Sequence, residues 1–172
     1  MEKQNETHRQ LATLTDLTHK EVAAIAEAVN PLIADAFACY IKTKNFHWHL
    51  SGSHFRDYHL LFDEHADSIF TSIDVLAERL RKIGATTLRS VGHVGKLQTL
   101  QDDNDDFVPP GEMIQRLLKD NDQMARAMRG AIEVCDKNRD TPTGNILQEL
   151  LDQTERRKWF LFEIVQGEEN TK

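Results

Sequence analysis

Turn-forming residues are scarce in this chain: 8 glycines and 4 prolines among 172 residues. That is too few for a hairpin-rich all-β fold, and too few for a disordered low-complexity chain. Cysteine is scarcer still. Cys39 and Cys135 lie far apart, with no Cys-x-x-Cys pair. This argues against a disulfide framework or a thiolate zinc site and leaves two small buried hydrophobes. Basic charge is also short, with 21 Lys and Arg against 28 Asp and Glu, a net of −7. Such a balance is a poor footprint for nucleic acid. No apolar run is long and unbroken: the stretch from Val22 to Ile41 contains Glu27, Asn30, Pro31 and Asp35, so no membrane span is expected. The opening residues Met1 to Glu6 lack the apolar core of a signal peptide. These absences predict one soluble, cytoplasmic domain over residues 1–172, long enough to bury a core without staples. Residues 1–17 are expected to form a mobile N-terminal tail.

What is present is helical periodicity, and no segment alternates like a strand. Val22, Ile25, Val29, Leu32, Ala36 and Cys39 recur at spacings of three and four. Pro31 interrupts them, so either a new helix starts there with Asn30 as its cap or one helix kinks. The apolar phase carries straight through, which favours the kink. After Ser51-Gly52-Ser53, Phe55, Phe62, Ile69, Leu76 and Ile83 stand seven apart, with Ala66, Ile73 and Leu80 beside them. They define a second helix ending at Gly84, antiparallel to the first. Residues 85–110 are mixed, with a short helix expected around Gly92 to Leu100. A third helix carries Met113, Leu117, Asn121, Met124 and Met128. The fourth starts near Thr141-Pro142 and carries Ile146, Leu150, Trp159, Phe160, Phe162 and Val165. Two tight turns and one long crossover describe an all-α, ferritin-like four-helix bundle with a short extra helix in the crossover between helices two and three.

The chemistry is concentrated on or beside the second helix, in His47, His59, Asp63, Asp74 and Glu78. With His59 at zero, Asp63, Asp74 and Glu78 fall at about 40°, 60° and 100° around a helix. They share one side, adjoining the stripe that should be buried, where unpaired carboxylates are costly. One helix cannot gather them around one ion, because Asp63 and Asp74 are separated by a rise of roughly 16 Å. The indices of His59 and Glu78 add to 137, as do those of Asp63 and Asp74. Two copies of the helix, antiparallel about a two-fold axis near Ser68 and Ile69, would therefore bring His59 and Asp63 of one chain to Glu78 and Asp74 of the other. A two-fold is the commonest symmetry of soluble oligomers. Folding back at Ser51-Gly52-Ser53 sets His47 level with His59. Two imidazoles and three carboxylates suit Fe(II) or Mn(II), with Zn(II) in competition. The in-bundle di-iron pattern needs Glu-x-x-His, and no histidine here has Glu three residues before it.

The run Lys42-Thr43-Lys44-Asn45-Phe46-His47-Trp48-His49, then His54-Phe55-Arg56-Asp57-Tyr58-His59, Asp63, and Asp74 to Glu78 closely resembles the Dps family, the miniferritins. The resemblance extends over roughly residues 20–166, including Glu155 to Phe160. It implies a hollow dodecamer with ferroxidase centres at two-fold interfaces. His47 and His59 of one subunit and Asp74 and Glu78 of its partner would hold iron, with Asp63 on the histidine side. The implied activity is that of a ferroxidase: Fe2+ is oxidised by hydrogen peroxide, or more slowly by O2, and Fe3+ is stored as mineral.

Other residues carry weaker expectations. Trp48 and Trp159 are expected to pack within the bundle, and the resemblance sets Trp48 beside the centre. His65 falls level with Ser72 of a partner and is expected to hydrogen-bond there rather than ligate. His49 and His54 read as polar turn residues. The Asp102 to Asp106 run misses the calcium-loop pattern, with Phe107 at the sixth position and Met113 at the twelfth, and reads as a solvated loop. The family's acidic iron-uptake pore points to Asp136, Asp140 and Glu149, although Gly144-Asn145 replaces an Ala-Asp found in many relatives. Family members that hold DNA tightly use lysine-rich tails. Residues 1–20 carry three basic and three acidic groups, and residues 163–172 carry Lys172 against three glutamates. DNA binding is expected to be weak or absent. The alternative reading is a DNA-compacting nucleoid protein with a secondary metal site.

Overall fold

In a computed structural model, described for residues 10–169 with side chains to residue 166, the chain is helix and connection throughout. The elements are α1 (His19–His49), α2 (Phe55–Lys82), α3 (Val91–Leu97), α4 (Pro110–Lys137) and α5 (Thr141–Glu169). α1 begins at a capping box: the Thr18 hydroxyl accepts from Glu21 N at 3.3 Å, and Glu21 accepts from Thr18 N at 2.7 Å. It runs unbroken through Pro31, so the single-helix reading holds. Asn30 is no cap, since its amide donates to Thr86 O at 3.1 Å. Gly52 at φ +107° lies in the turn between α1 and α2 and Gly84 at φ +85° follows α2, conformations that a side chain disfavours.

α1 packs on α2 and α4 on α5, and contacts of α1 with α4 and of α2 with α5 close the bundle. Two apolar clusters fill it. One is built around Ile25, Ile33, Ile69, Leu80, Met124 and Leu147, the other around Phe46, Phe62, Ile114, Leu117 and Leu161. Between them lies a polar layer drawn from all four long helices. Lys42 Nζ meets Asp120 Oδ2 at 2.6 Å. The buried Arg157 donates to Asn121 Oδ1 (2.9 Å), Ser68 Oγ (3.0 Å) and Thr154 Oγ1 (2.8 Å). Burial pushes the Arg157 guanidinium down to about 10 and raises the Asp120 carboxyl above its usual range, against the pull of Lys42. The long apolar helix α1, the one described helix with a composition fit to cross a membrane, spends its apolar side on this core.

The crossover is pinned at several points. Asp35, buried on α1, accepts from Thr99 N, Thr99 Oγ1 and Leu100 N at 2.5, 2.7 and 3.0 Å. Arg116 gathers Asp103 (2.6 Å), Asp105 (2.8 Å) and Glu112 (2.5 Å), so the aspartate run is a loop tied down by a guanidinium. Of the expected tail, residues 1–9 lie outside the described residues. Residues 10–17 run past the end of α2, where Thr13 donates to Arg81 O at 3.0 Å and Arg81 to Leu11 O at 2.8 Å.

Two expectations are corrected. Trp48 and Trp159 do not pack in the bundle: they are 62% and 60% exposed. Phe46, Phe62 and Leu161 fill the interior near them, and the indoles project outward. His65 does not face a partner either, being 2% exposed. Equal level along a helix is not equal azimuth, and His65 lies about 240° round from His59, on the core side. Ser72 is also turned inward, donating to Ile69 O at 2.7 Å.

Candidate metal centre

The α1–α2 hairpin brings His47 and His59 together. Their rings stack with centroids 3.7 Å apart and planes 21° from parallel. His47 Nδ1 lies 2.9 Å from His59 O, and His59 Nδ1 lies 3.1 Å from His47 O. Since a carbonyl only accepts, each Nδ1 carries a proton, which leaves Nε2 as the ring atom able to bind a metal. This is the ring orientation that a metal-binding histidine needs. Phe55 stacks on the far side of His59, with centroids 5.0 Å apart.

Asp63, one turn beyond His59, lies beside the pair. Its Oδ1 is 3.9 Å from His47 Nε2 and 2.6 Å from Lys44 Nζ. The Lys44 hydrogen bond, with its charge, holds the Asp63 carboxyl below the usual range. Lys44 is the residue that sequence reasoning missed. Three residues before His47, it shares that face of α1, and the spacing alone could have flagged it. Its ammonium occupies the place beside Asp63 where a metal cation would be neutralised.

Asp74 and Glu78 lie further along α2, both exposed. Glu78 has Lys82 Nζ at 3.9 Å, and Asp74 makes no ion pair among the described residues. They stay apart from the histidines, and among the described residues no three His, Cys, Asp or Glu side chains close around one point.

Of the expected pore residues, Asp140 is withdrawn. It is buried, receives Arg79 Nη2 at 2.6 Å, and caps the start of α5 through Thr143 N (3.1 Å) and Thr143 Oγ1 (2.5 Å). An aspartate ahead of Thr-Pro serves the helix start. Asp136 and Glu149 are exposed. His49 is engaged locally, its Nδ1 2.9 Å from Asn45 O, as a turn residue should be.

Comparison with known proteins agrees with this architecture. A ferritin-like domain model matches residues 26–169. An uncharacterised low temperature-induced protein of Nostoc is 29% identical over 153 residues, covering 88% of this chain and 86% of that one. DNA protection during starvation protein 1 of Deinococcus radiodurans is 28% identical over 152 residues, covering 88% and 73%. Among solved structures, DpsC of Streptomyces coelicolor aligns with a TM-score of 0.86 at 26% identity, covering 90% of each chain. Dps of Thermosynechococcus elongatus aligns at 0.82 and 24% identity, covering 85% and 92%.

Proposed function

Because this chain belongs to the ferritin-like family, in its Dps group, we propose that it is an iron-storing ferroxidase whose centre is completed by a second copy. The observation that carries this is the half-site: two imidazoles with open Nε2 atoms on the α1–α2 face that also bears Asp63, Asp74 and Glu78. Pairing α2 with its copy about Ser68 and Ile69 supplies the missing carboxylates. The ferritin-like family supports iron chemistry in general, a relative's name speaks of protection during starvation, and a dodecamer is the assembly that the family resemblance implies.

Fe(II) is the substrate. His47 and His59 donate neutral lone pairs that hold it, and Asp63, Asp74 and Glu78 supply anionic oxygen, which favours Fe(III) over Fe(II). Each of two Fe(II) gives one electron to a hydrogen peroxide. Its O–O bond breaks, and two protons complete two waters. O2 is the slower oxidant, and Zn(II) or Mn(II) competes for the same donors. Lys44 must yield Asp63 before that carboxylate can ligate. Asp136 and Glu149 remain for an acidic route to an interior store. A cytoplasmic setting and weak DNA binding complete the proposal. Several exposed arginines of α4 and α5 are already paired, as Arg126 with Asp122 (2.5 Å) and Arg156 with Glu64 (2.9 Å), which leaves them less available to phosphates.

The decisive experiment mixes two inactive variants. Asp74→Ala/Glu78→Ala keeps the histidines, and His47→Ala/His59→Ala keeps the partner carboxylates. Each alone is expected to lose rapid peroxide-driven oxidation, followed by ferric absorbance. Unfolded, mixed and reassembled together, they should recover about a quarter of wild-type sites by random pairing about a two-fold. No recovery in properly assembled mixtures would refute an intersubunit centre.

A further inference from the structure

The polar layer between the two apolar clusters has a plan of its own. α1 and α4 each send one long side chain into it, Lys42 and Asp120, which meet at 2.6 Å. α2 and α5 each bring a buried pair three residues apart, Phe62 with His65 and Thr154 with Arg157. One residue from each of two helices, and an i, i+3 pair from each of the other two, is how ferritin-like bundles hold two metal ions in the core. Glu stands at the single positions there, and Glu-x-x-His at the paired ones. The residues of this chain do not fit such a centre. Lys42 stands at one single position, Phe62 and Thr154 at the two paired Glu positions, and Arg157 at one of the His positions. Asp120 and His65 alone are of a ligand type.

Charge follows the same plan. A core metal centre sets cations among carboxylates, and this layer also holds two cations, both tethered to the chain. Lys42 is neutralised by Asp120. Arg157, 4% exposed, makes no ion pair among the described residues, and its donors end on the neutral oxygens of Asn121, Ser68 and Thr154. The other buried carboxylates, Asp35 and Asp140, are spent on the crossover and on the start of α5. Two positive charges thus face one negative in a chain of net −7, although a buried charge without a counter-ion is costly. His65 is an independent sign. It is 2% exposed, the Arg157 charge acts on it, and its Nε2 meets no partner. A buried ring nitrogen left so is uncommon.

We infer that Lys42 and Arg157 are tethered substitutes for two metal ions, so that the bundle core keeps the plan of a dinuclear site for divalent transition metals and shuts them out. The ammonium takes the Asp120 carboxylate that an ion would need. The guanidinium takes the oxygens of α4 and α5 beside His65, whose free Nε2 is the donor left over. A divalent ion entering the layer meets like charge at low dielectric, which confines metal to the outer faces of the chain. This holds whether or not the face bearing His47 and His59 oxidises iron.

The test uncovers the core in full-length chains that already carry His47→Ala/His59→Ala, so that the face pair cannot bind. Adding Lys42→Glu/Arg157→Glu to that parent gives Asp120 and His65 two further carboxylates, one from α1 and one from α5. Co(II), followed by visible absorption and calorimetry, is expected to bind about a hundredfold more tightly than to the parent. It should raise the urea midpoint of this variant and leave that of the parent in place. His65→Leu should remove most of the gain, which separates the core from acidic patches on the surface. A folded variant that binds Co(II) within about threefold of the parent, or whose gain ignores His65, would overturn the inference. If that variant does not fold, Lys42→Ala/Arg157→Ala decides, with binding about tenfold tighter and again dependent on His65. If neither folds alone, Co(II) present during refolding must rescue at least one, because metal binding then supplies folding free energy. No rescue would overturn the inference too. The parent lacks the face histidines throughout, so the core and the face centre fail separately.

Discussion

Six residues of α1 serve two different ends. Lys42 points inward to Asp120 at 2.6 Å, in a layer whose polar atoms are nearly all satisfied by the same chain. Lys44 and His47 point to the open face, where Asp63 is bridged by Lys44 and the histidine Nδ1 atoms are spent on carbonyls. The inner layer is closed chemistry and the outer cluster is open chemistry. In the low-dielectric interior an unpaired charge is ruinous, so donors there must find acceptors within the fold. On the face, solvent screens the charges and tolerates groups left without a partner.

The largest expected effect breaks the closed side. Lys42→Met strands Asp120 and should lower stability by about 3–5 kcal/mol in urea denaturation at fixed protein concentration. Adding Asp120→Leu should restore most of it, and a double variant as weak as the single would mean the pair is not what the layer needs. His65, buried beside that layer with Nε2 unpartnered, comes next. Burial, then Arg157, pushes its imidazole down to about 4 from 6.5. The unfolded chain binds the extra proton between those values, so stability falls as the pH drops through that window and levels off below it. The loss should amount to about 3 kcal/mol. His65→Leu should remove the His65 part of that slope, and an unchanged slope from pH 7 to 4 would contradict it.

On the open side, Lys44→Met should free Asp63 and strengthen Co(II) binding by about threefold to tenfold, since the bridge it removes is half exposed. Weaker binding by calorimetry would show that Lys44 supports the ligand instead. The smallest effect belongs to the surface. Arg129→Ala, which removes the exposed pair with Glu155, should change stability by less than about 1 kcal/mol.

Periodicity made α2 readable, because its seven-residue stripe is buried beyond the first turn: Phe62, Ile69, Leu76 and Ile83 all lie in the core, while Phe55 at the helix start is 45% exposed. The His47–His59 pairing was readable too, because a tight turn fixes register over twelve residues. Lys42–Asp120 was not. Its partners are 78 positions apart, and no local pattern sets the register of α1 against α4. His65 was misplaced because its position along α2 was matched and its azimuth was not. Asp140 carried two meanings, acidic pore and helix cap, and only its Arg79 and Thr143 contacts decide between them. The indoles of Trp48 and Trp159 project outward, and Trp159 Nε1 donates to Glu163 at 3.0 Å, which hydrophobicity alone does not say.

The histidine latch also has a place in time. It joins residues only twelve apart in sequence, and everything it needs lies between His19 and Lys82. Chains fold from the N-terminus as they leave the ribosome, and contacts this local close early. The two imidazoles can therefore be aligned while α4 and α5 are still untranslated. On the proposed two-fold pairing the carboxylates of a second copy come later, so order of manufacture would keep the newborn protein chemically quiet.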